Sequence, residues 1–226
     1  MPIIFKNKTC KIDKLSQQKY KLTILDGEKF KNFWINIKKK LKIIEDNKNY
    51  FTFEADKIIT LQKLSKKKEK KLSYHHCELL FLDIGKQFEG LEKDGFCHLF
   101  LDDDDIILVD NDKSENNVSS FLYLNATKVL PFTKDKVKIK MPFKKDHLYL
   151  SPELSNIKSF PIDISKKSTY YSLAMLVSNY VIPYKEKKRS MEIFKKHMES
   201  ILESKLYWAL LRCLEEDPTD RYYLYI

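Results

Sequence analysis

Three short segments hold side chains that could bind a metal ion or take part in catalysis: His75-His76-Cys77, Cys97-His98 and Asp102–Asp105. Neighbouring residues of a helix point about 100° apart, so the first segment cannot converge on one ion. The second is better explained as part of the core. The acidic run lacks the glycine-containing spacing of a calcium loop and is more typical of a solvated turn, or of an acidic patch paired with the chain's own lysines. These segments predict neither a metal site nor a cofactor.

Glycine is too scarce to supply a phosphate-binding loop. The chain has four glycines, and none lies in a glycine-rich phosphate motif. Ser172 lacks the flanking glycines of a nucleophile elbow. The sequence therefore carries no P-loop and no signature of a nucleophilic serine.

The composition indicates a folded, basic protein. The 226 residues fit one large domain or two small ones, and 43% of them are hydrophobic, which is enough for a sizeable core. The net charge is +10, and of the 42 basic residues only Arg189, Arg212 and Arg221 are arginine. The lysine excess predicts either solubility combined with an AT-rich coding genome, or contact with nucleic acid or another anionic partner. The scarcity of arginine argues against base-specific recognition.

The cysteines and the apolar segments bear on the compartment. Four cysteines are widely spaced and show no C-x-x-C pattern, which favours a reducing environment. The amino terminus has no apolar signal core, and the most apolar stretch, residues 170–184, is shorter and more polar than a membrane span. We expect a soluble, intracellular, cytoplasmic protein without a membrane contact.

Hydrophobic periodicity predicts strands in the first part of the chain and helices in the last. KYKLTIL (19–25) and NYFTFEA (49–55) alternate as strands do, and residues 28–44 between them repeat as a helix. A long buried helix is expected over 74–93, ended by Asp94-Gly95. Further short strands are predicted at 96–101, 106–109 and 121–124, an irregular segment at 125–150, and helices from 168 onward. The fold class predicted is α+β.

Five segments in this order resemble the eukaryotic protein kinases. The segment at 95–111, GFCHLFLDDDDIILVDN, is similar to the catalytic loop and the strand after it, with the helix at 74–93 before it. Leu150-Ser151-Pro152-Glu153-Leu154 resembles the A-P-E element, and residues 170–174, YYSLA, resemble the start of the central helix of the C-lobe. LLRCLEEDPTDR at 210–221 resembles the family's closing D-P-x-x-R element, and NYFTFE resembles the hinge strand.

The resemblance implies a kinase-like unit with a small, reduced, β-rich N-lobe at 1–55 and a larger helical C-lobe at 56–226. It also implies an ion pair between Glu153 and Arg221, because the A-P-E glutamate of kinases pairs with the arginine after D-P. The compact size, the lysine bias and the degenerate motifs are similar to kinase-like proteins of large DNA viruses, which would place the chain in the host cytoplasm or the virion. An AT-rich protist would give the same composition.

The residues that perform phosphate transfer in kinases are missing from this pattern. His98 is retained, but Leu99 and Phe100 stand where the family has Arg and the catalytic Asp, and phenylalanine cannot accept a proton. Asp102 falls where many kinases have a lysine and is expected to repel phosphate. Asp105 replaces the metal-binding Asn and could still ligate magnesium. These catalytic positions are therefore degenerate.

The other nucleotide-binding elements are equally hard to find. Residues 121–126 contain no Asp and no Gly and so lack D-F-G. Thr23 falls where the phosphate lysine of the third strand should be, with Lys21 two residues away, and residues 33–38 offer no glutamate to pair with it. No catalytic residue, cofactor or metal is expected.

The leading hypothesis is thus a catalytically inactive pseudokinase, acting through a protein partner as a scaffold, a decoy or an assembly component. Two alternatives stay open. One is a basic protein on the same fold that contacts nucleic acid through lysine faces at 38–43, 66–71, 134–145 and 185–196. The other is a divergent kinase with residual ATP-dependent transfer to serine or threonine.

Overall fold

The computed structural model describes residues 1–25, 30–66, 71–111, 119–143, 148–183 and 191–226. Its strands are β1 (Ile3–Lys6), β2 (Cys10–Lys14), β3 (Lys19–Ile24), β4 (Lys42–Asp46), β5 (Tyr50–Glu54), β6 (Lys57–Thr60), β7 (Phe96–His98), β8 (Ile106–Asp110), β9 (Ser120–Tyr123), β10 (Val129–Pro131), β11 (Lys136–Ile139) and β12 (Ile162–Ser165). Its helices are α1 (Lys31–Lys38), α2 (Leu61–Lys66), α3 (Tyr74–Lys93), α4 (Pro152–Ser155), α5 (Ser168–Val181), α6 (Met191–His197) and α7 (Lys205–Cys213). The described chain is a mixed α+β protein.

An antiparallel sheet of order β1-β2-β3-β5-β4 is built from the first 54 residues, and we call it the N-terminal sheet. Alternation in β3 and β5 turns one face inward, where Tyr20 and Leu22 lie in register with Phe53 and Phe51. α1 lies between β3 and β4 in the chain and buries Phe33, Trp34 and Ile37. A single fully buried Phe or Leu side chain contributes about 1.5–3 kcal/mol, so these contacts form a substantial core.

One helix was predicted too long here. The pattern over 28–44 indicated a single helix, but α1 ends at Lys38 and the chain continues as β4, which pairs with β5. The prediction was wrong because Ile43 and Ile44 extend the apolar pattern, while β-branched residues beside a strand partner favour β structure. The predicted start at Glu28 lies outside the described residues.

The long helix α3 has the bounds that the sequence predicted. Ser73 caps it, since its hydroxyl accepts a hydrogen bond from the His76 amide. It ends at Asp94 followed by Gly95, whose φ of 80° is a left-handed conformation that favours glycine. α3 packs on the sheet β6-β8-β9, where the amide of Gln87 both donates to Tyr123 O (2.7 Å) and accepts from Tyr123 N (3.1 Å).

Two small sheets replace the irregular segment predicted at 125–150. β10 pairs with β7 and β11 pairs with β12, both antiparallel. The prediction was wrong because these strands have only three and four residues. An alternating pattern this short cannot be recognised among the surrounding lysines. β7 likewise stops at His98 rather than at 101. Later in the chain, the buried helix α5 packs against α3, and the amphipathic α7 packs against α5.

Candidate functional site

The hairpin of β8 and β9 brings two polar side chains together at one end. Ile106 is in register with Tyr123, so Asp105 and Asn125, which flank the paired residues, meet beyond them. The Asn125 Nδ2 atom donates to Asp105 Oδ2 at 2.6 Å. The Asn125 Oδ1 atom caps the following turn by accepting from the backbone N (3.0 Å) and the hydroxyl (2.6 Å) of Thr127. Sequence reasoning had missed Asn125, although it lies at the expected D-F-G segment.

A third polar side chain enters this site from the N-terminal sheet. Asn7, in the turn between β1 and β2, donates from Nδ2 to Asp105 Oδ1 at 2.9 Å and to Leu124 O at 3.1 Å. The hydroxyl of Thr9 donates to Leu124 O at 2.7 Å. Asparagine in a short turn is the only sequence signal for these two residues, and it does not reveal a contact 98 positions away.

Asp105 is only 6% exposed, and this burial affects the pKa of its carboxyl group. Desolvation raises its pKa, and the hydrogen bonds from Asn125 and Asn7 together with the charge of Lys128 oppose that effect. Two donated amide hydrogens occupy the two carboxylate oxygens. The residue proposed from sequence as a residual magnesium ligand is therefore engaged by the protein itself.

The acidic run is neither a solvated turn nor a patch paired only with lysines. Its four carboxylates take different partners: Asp102 pairs with Lys128, Asp103 accepts from Tyr180 at 2.8 Å, Asp104 accepts from Gln62, and Asp105 accepts from the two asparagines. The expectation that Asp102 repels phosphate is weakened, because Lys128 neutralises it. Within the described residues, no group of three or more His, Cys, Asp or Glu side chains is placed to hold a metal ion.

Phe100 is part of an aromatic contact. Its ring is 91% buried and stacks on Phe143, with centroids 5.5 Å apart and an interplanar angle of 26°. Lys128 Nζ lies 4.6 Å from the centroid of the Phe100 ring, within cation–π range. Phe100, which the sequence resemblance aligns with the catalytic aspartate of kinases, thus takes part in ring and cation–π contacts with Phe143 and Lys128.

His98 is fully buried among rings, 4.9 Å from Tyr123 and 5.3 Å from Phe88 by ring centroids. Neither ring nitrogen has a hydrogen-bond partner among the described residues. Burial, aided by the charge of Lys128, lowers the pKa of His98 to about 3. The imidazole is therefore neutral at physiological pH.

The ion pair predicted between Glu153 and Arg221 is present. Arg221 Nη1 lies 2.6 Å from Glu153 Oε1, and Nη2 lies 3.0 Å from Oε2, a bidentate arrangement. The buried Arg221 side chain also donates to the carbonyls of Glu215 (2.6 Å) and Glu216 (2.7 Å). Burial alone would raise the pKa of Glu153, but hydrogen bonds from Arg221 and Ser168 hold it below the usual value.

Strand β3, which was expected to hold a phosphate-binding lysine, instead contains a lysine in contact with an aromatic ring. Thr23 and Lys21 lie in β3 as predicted, and Lys21 Nζ sits 3.7 Å from the centroid of the Tyr50 ring. α1 contains no acidic residue. Lys21 therefore makes a cation–π contact with Tyr50 of the N-terminal sheet.

Three lysines of the proposed 38–43 face are paired with carboxylates: Lys38 with Asp46, Lys40 with Asp83 (3.3 Å) and Lys42 with Glu54. These pairs reduce the positive charge available for a phosphate backbone. Residues 67–70, 144–147 and 185–190 of the other proposed faces lie outside the described residues.

Comparison with known proteins adds no family. No protein-family model matches this chain, and neither does any curated protein. In the part of the chain that the structure describes, no helix has both the length and the apolar character needed to cross a bilayer.

Proposed function

We propose that this chain is a kinase-like protein without phosphotransfer activity that works by binding a protein partner, as a scaffold, a decoy of a kinase or a component of an assembly. The order of its elements supports the proposal: a sheet with one helix after its third strand, then a long helix, a catalytic-loop-like segment and further helices. The Glu153–Arg221 pair, expected from the resemblance alone, supports it as well.

The observation that carries the proposal is the burial of Phe100 and its contacts with Phe143 and Lys128. In a kinase this position must present a carboxylate to the substrate hydroxyl. Here a buried ring stacks on Phe143 and contacts Lys128 instead. A side chain with this role stabilises the fold and offers no base for proton transfer.

The degenerate metal positions point the same way. Kinases hold magnesium with the D-F-G Asp and the catalytic-loop Asn. The resemblance aligns Asp105 with the Asn, and Asn125 belongs to the segment in which D-F-G is expected. The two side chains are hydrogen-bonded to each other at 2.6 Å. The Asp105 carboxylate has its remaining oxygen on Asn7. Magnesium that arrived with a nucleotide would have to break the hydrogen bonds of Asp105 to Asn125 and to Asn7.

A thermal melt tests this function directly. A one-site ligand at 100 times its Kd stabilises a protein by about 2.7 kcal/mol, a clear rise in Tm. We expect no rise with millimolar ATP and magnesium, and no transfer of labelled phosphate to protein or peptide. Magnesium alone and ADP with magnesium are the controls that separate metal binding from nucleotide binding. Phosphate transfer that disappears in a pocket variant would instead establish the divergent-kinase alternative.

A further inference from the structure

The turn between β1 and β2 is built to present one carboxamide. The Oδ1 atom of Asn7 accepts from the backbone N atoms of Thr9 and Cys10, both at 2.9 Å. These bonds fix the side chain, so its Nδ2 group is aimed out of the turn. It is this group that reaches Asp105 and Leu124.

The turn also closes the site that it enters. Thr9 and Cys10 are fully buried, and Asp105 and Asn125 are less than 10% exposed. The Cys10 Sγ atom lies 3.9 Å from Leu124 O, the same carbonyl that accepts from Asn7 and Thr9. Withdrawal of the turn from Leu124 therefore also frees the Cys10 thiol from this carbonyl.

We propose that the Asn7–Thr9 turn is an internal latch, which fills the polar site at Asp105 and Leu124 and opens as a unit without unfolding the rest of the chain. β1 is the edge strand of the N-terminal sheet, has four residues and pairs with β2 through an irregular register. Opening limited to such a short edge segment costs less than unfolding the whole chain.

The contact itself is polar, which makes opening reversible. When the turn withdraws, water can replace Asn7 on Asp105, while Asn125 stays bonded to the other oxygen. This inference goes beyond the proposed function, since it depends only on contacts within the chain and holds for a kinase-like fold or any other.

Alkylation of Cys10 measures the opening. Asn7→Ala removes the carboxamide and is expected to raise the alkylation rate of Cys10 about tenfold or more, because a hydrogen bond to a carboxylate is lost. Cys77, Cys97 and Cys213 are buried elsewhere and report global unfolding in the same mass-spectrometric experiment. Their rates should stay at the wild-type level.

Asn47→Ala is the matched control. Asn47 begins the β4–β5 turn with the same backbone geometry: its N donates to Tyr50 O, three residues on, as Asn7 N donates to Cys10 O. Among the contacts described, its side chain bonds Glu45 and Tyr50 within its own hairpin. This variant should leave Cys10 protected.

A charge exchange gives a second test. Asn7→Asp places a carboxylate against Asp105 and should expose Cys10 more than Asn7→Ala does, since like charges repel. Adding Asp105→Asn removes the repulsion and restores a donor, so protection of Cys10 should partly return. A Cys10 rate that stays at the wild-type value in both Asn7 variants, or that rises only together with the other three cysteines, would overturn the latch. Nucleotide binding by the wild-type chain would overturn the proposed function alone, because alkylation is measured without nucleotide.

Discussion

The ring of Tyr223 lies against the backbone of Gly85 in the middle of α3. A Cβ atom at Gly85 would fall 2.2 Å from ring carbons of Tyr223. The same ring stacks on Phe81 with centroids 4.9 Å apart, and its hydroxyl reaches Leu82 O at 3.3 Å. The carboxy-terminal segment is therefore docked on α3 through a contact that only glycine permits.

Gly85→Ala should consequently destabilise the protein, although alanine is normally the better helix former by about 1 kcal/mol. We expect a loss of about 1–3 kcal/mol in the free energy of unfolding, measured by urea denaturation, because overpacking forces Tyr223 off the helix. Gly90→Ala in the same helix is the control: its Cβ would meet only the end of the Asn36 side chain at 3.3 Å, so the change should stay within about 1 kcal/mol. A stabilised Gly85→Ala protein would show that Tyr223 is not docked there.

Arg221→Ala should be among the most damaging single changes in this chain. It leaves Glu153 without its bidentate partner and removes two hydrogen bonds to backbone carbonyls, and breaking a buried pair typically costs about 3–5 kcal/mol. Arg212→Ala is the matched control, since Arg212 is exposed and contacts the Tyr222 ring at 5.5 Å. That change should cost no more than about 1 kcal/mol. Equal effects of the two substitutions in chemical denaturation would contradict the importance of the buried pair.

Sequence patterns predicted the long helix α3 and the strands β3, β5, β8 and β9, but missed several other short strands. α3 was predicted residue for residue because 20 positions with a broad apolar face and a terminal Asp-Gly agree. β4 was missed because its isoleucines continue the helical pattern of α1. β10–β12 were missed because they have three or four residues each and pair with strands distant in the sequence.

In the candidate site, too, some contacts could be predicted from the sequence and others could not. Glu153 and Arg221 could be paired from the sequence because a family pattern relates two distant positions. Asn7 could not, since its hydrogen bond to Asp105 depends on how the β1–β2 turn is placed against the β8–β9 hairpin. Asp105 was misjudged for a related reason: a run of four aspartates suggests exposure, whereas the hairpin buries its last member.

Phe100→Asp tests the proposal that position 100 corresponds to the catalytic aspartate of kinases. The substitution removes the stacking on Phe143 and buries a carboxylate close to Asp102, so we expect a loss of about 3–5 kcal/mol in stability and no phosphate transfer. Phe100→Leu keeps the position apolar and should cost less. Recovery of magnesium-dependent transfer in the aspartate variant would show that the site retains the other groups that catalysis requires.

His98 should make the protein sensitive to mild acid. The ordinary pKa of histidine is 6.5, and in the folded protein the pKa of His98 falls to about 3, because a buried imidazole resists charging. Between these values the unfolded chain takes up a proton that the folded chain does not, so the folded state is fully stable above pH 6.5 and loses stability as the pH falls toward 3. The lowered pKa of Glu153 adds a loss of its own, but only below the ordinary carboxyl pKa of 4.5. Burial raises the pKa values of Asp105 and Glu89, so their proton uptake favours the folded state as the pH falls. The contribution of His98 is therefore read from the difference between the wild type and a His98 variant.

His98→Leu should reduce the loss of unfolding free energy below pH 6.5, measured by urea denaturation at several pH values. The wild type should lose about 1.4 kcal/mol more than the variant for each pH unit well below 6.5. His75→Leu, at an exposed position at the start of α3, is the control and should keep the wild-type slope. A His98→Leu protein with the same slope as the wild type would show that His98 takes up its proton in the folded state as readily as in the unfolded chain, which the aromatic cage of Phe88 and Tyr123 should prevent.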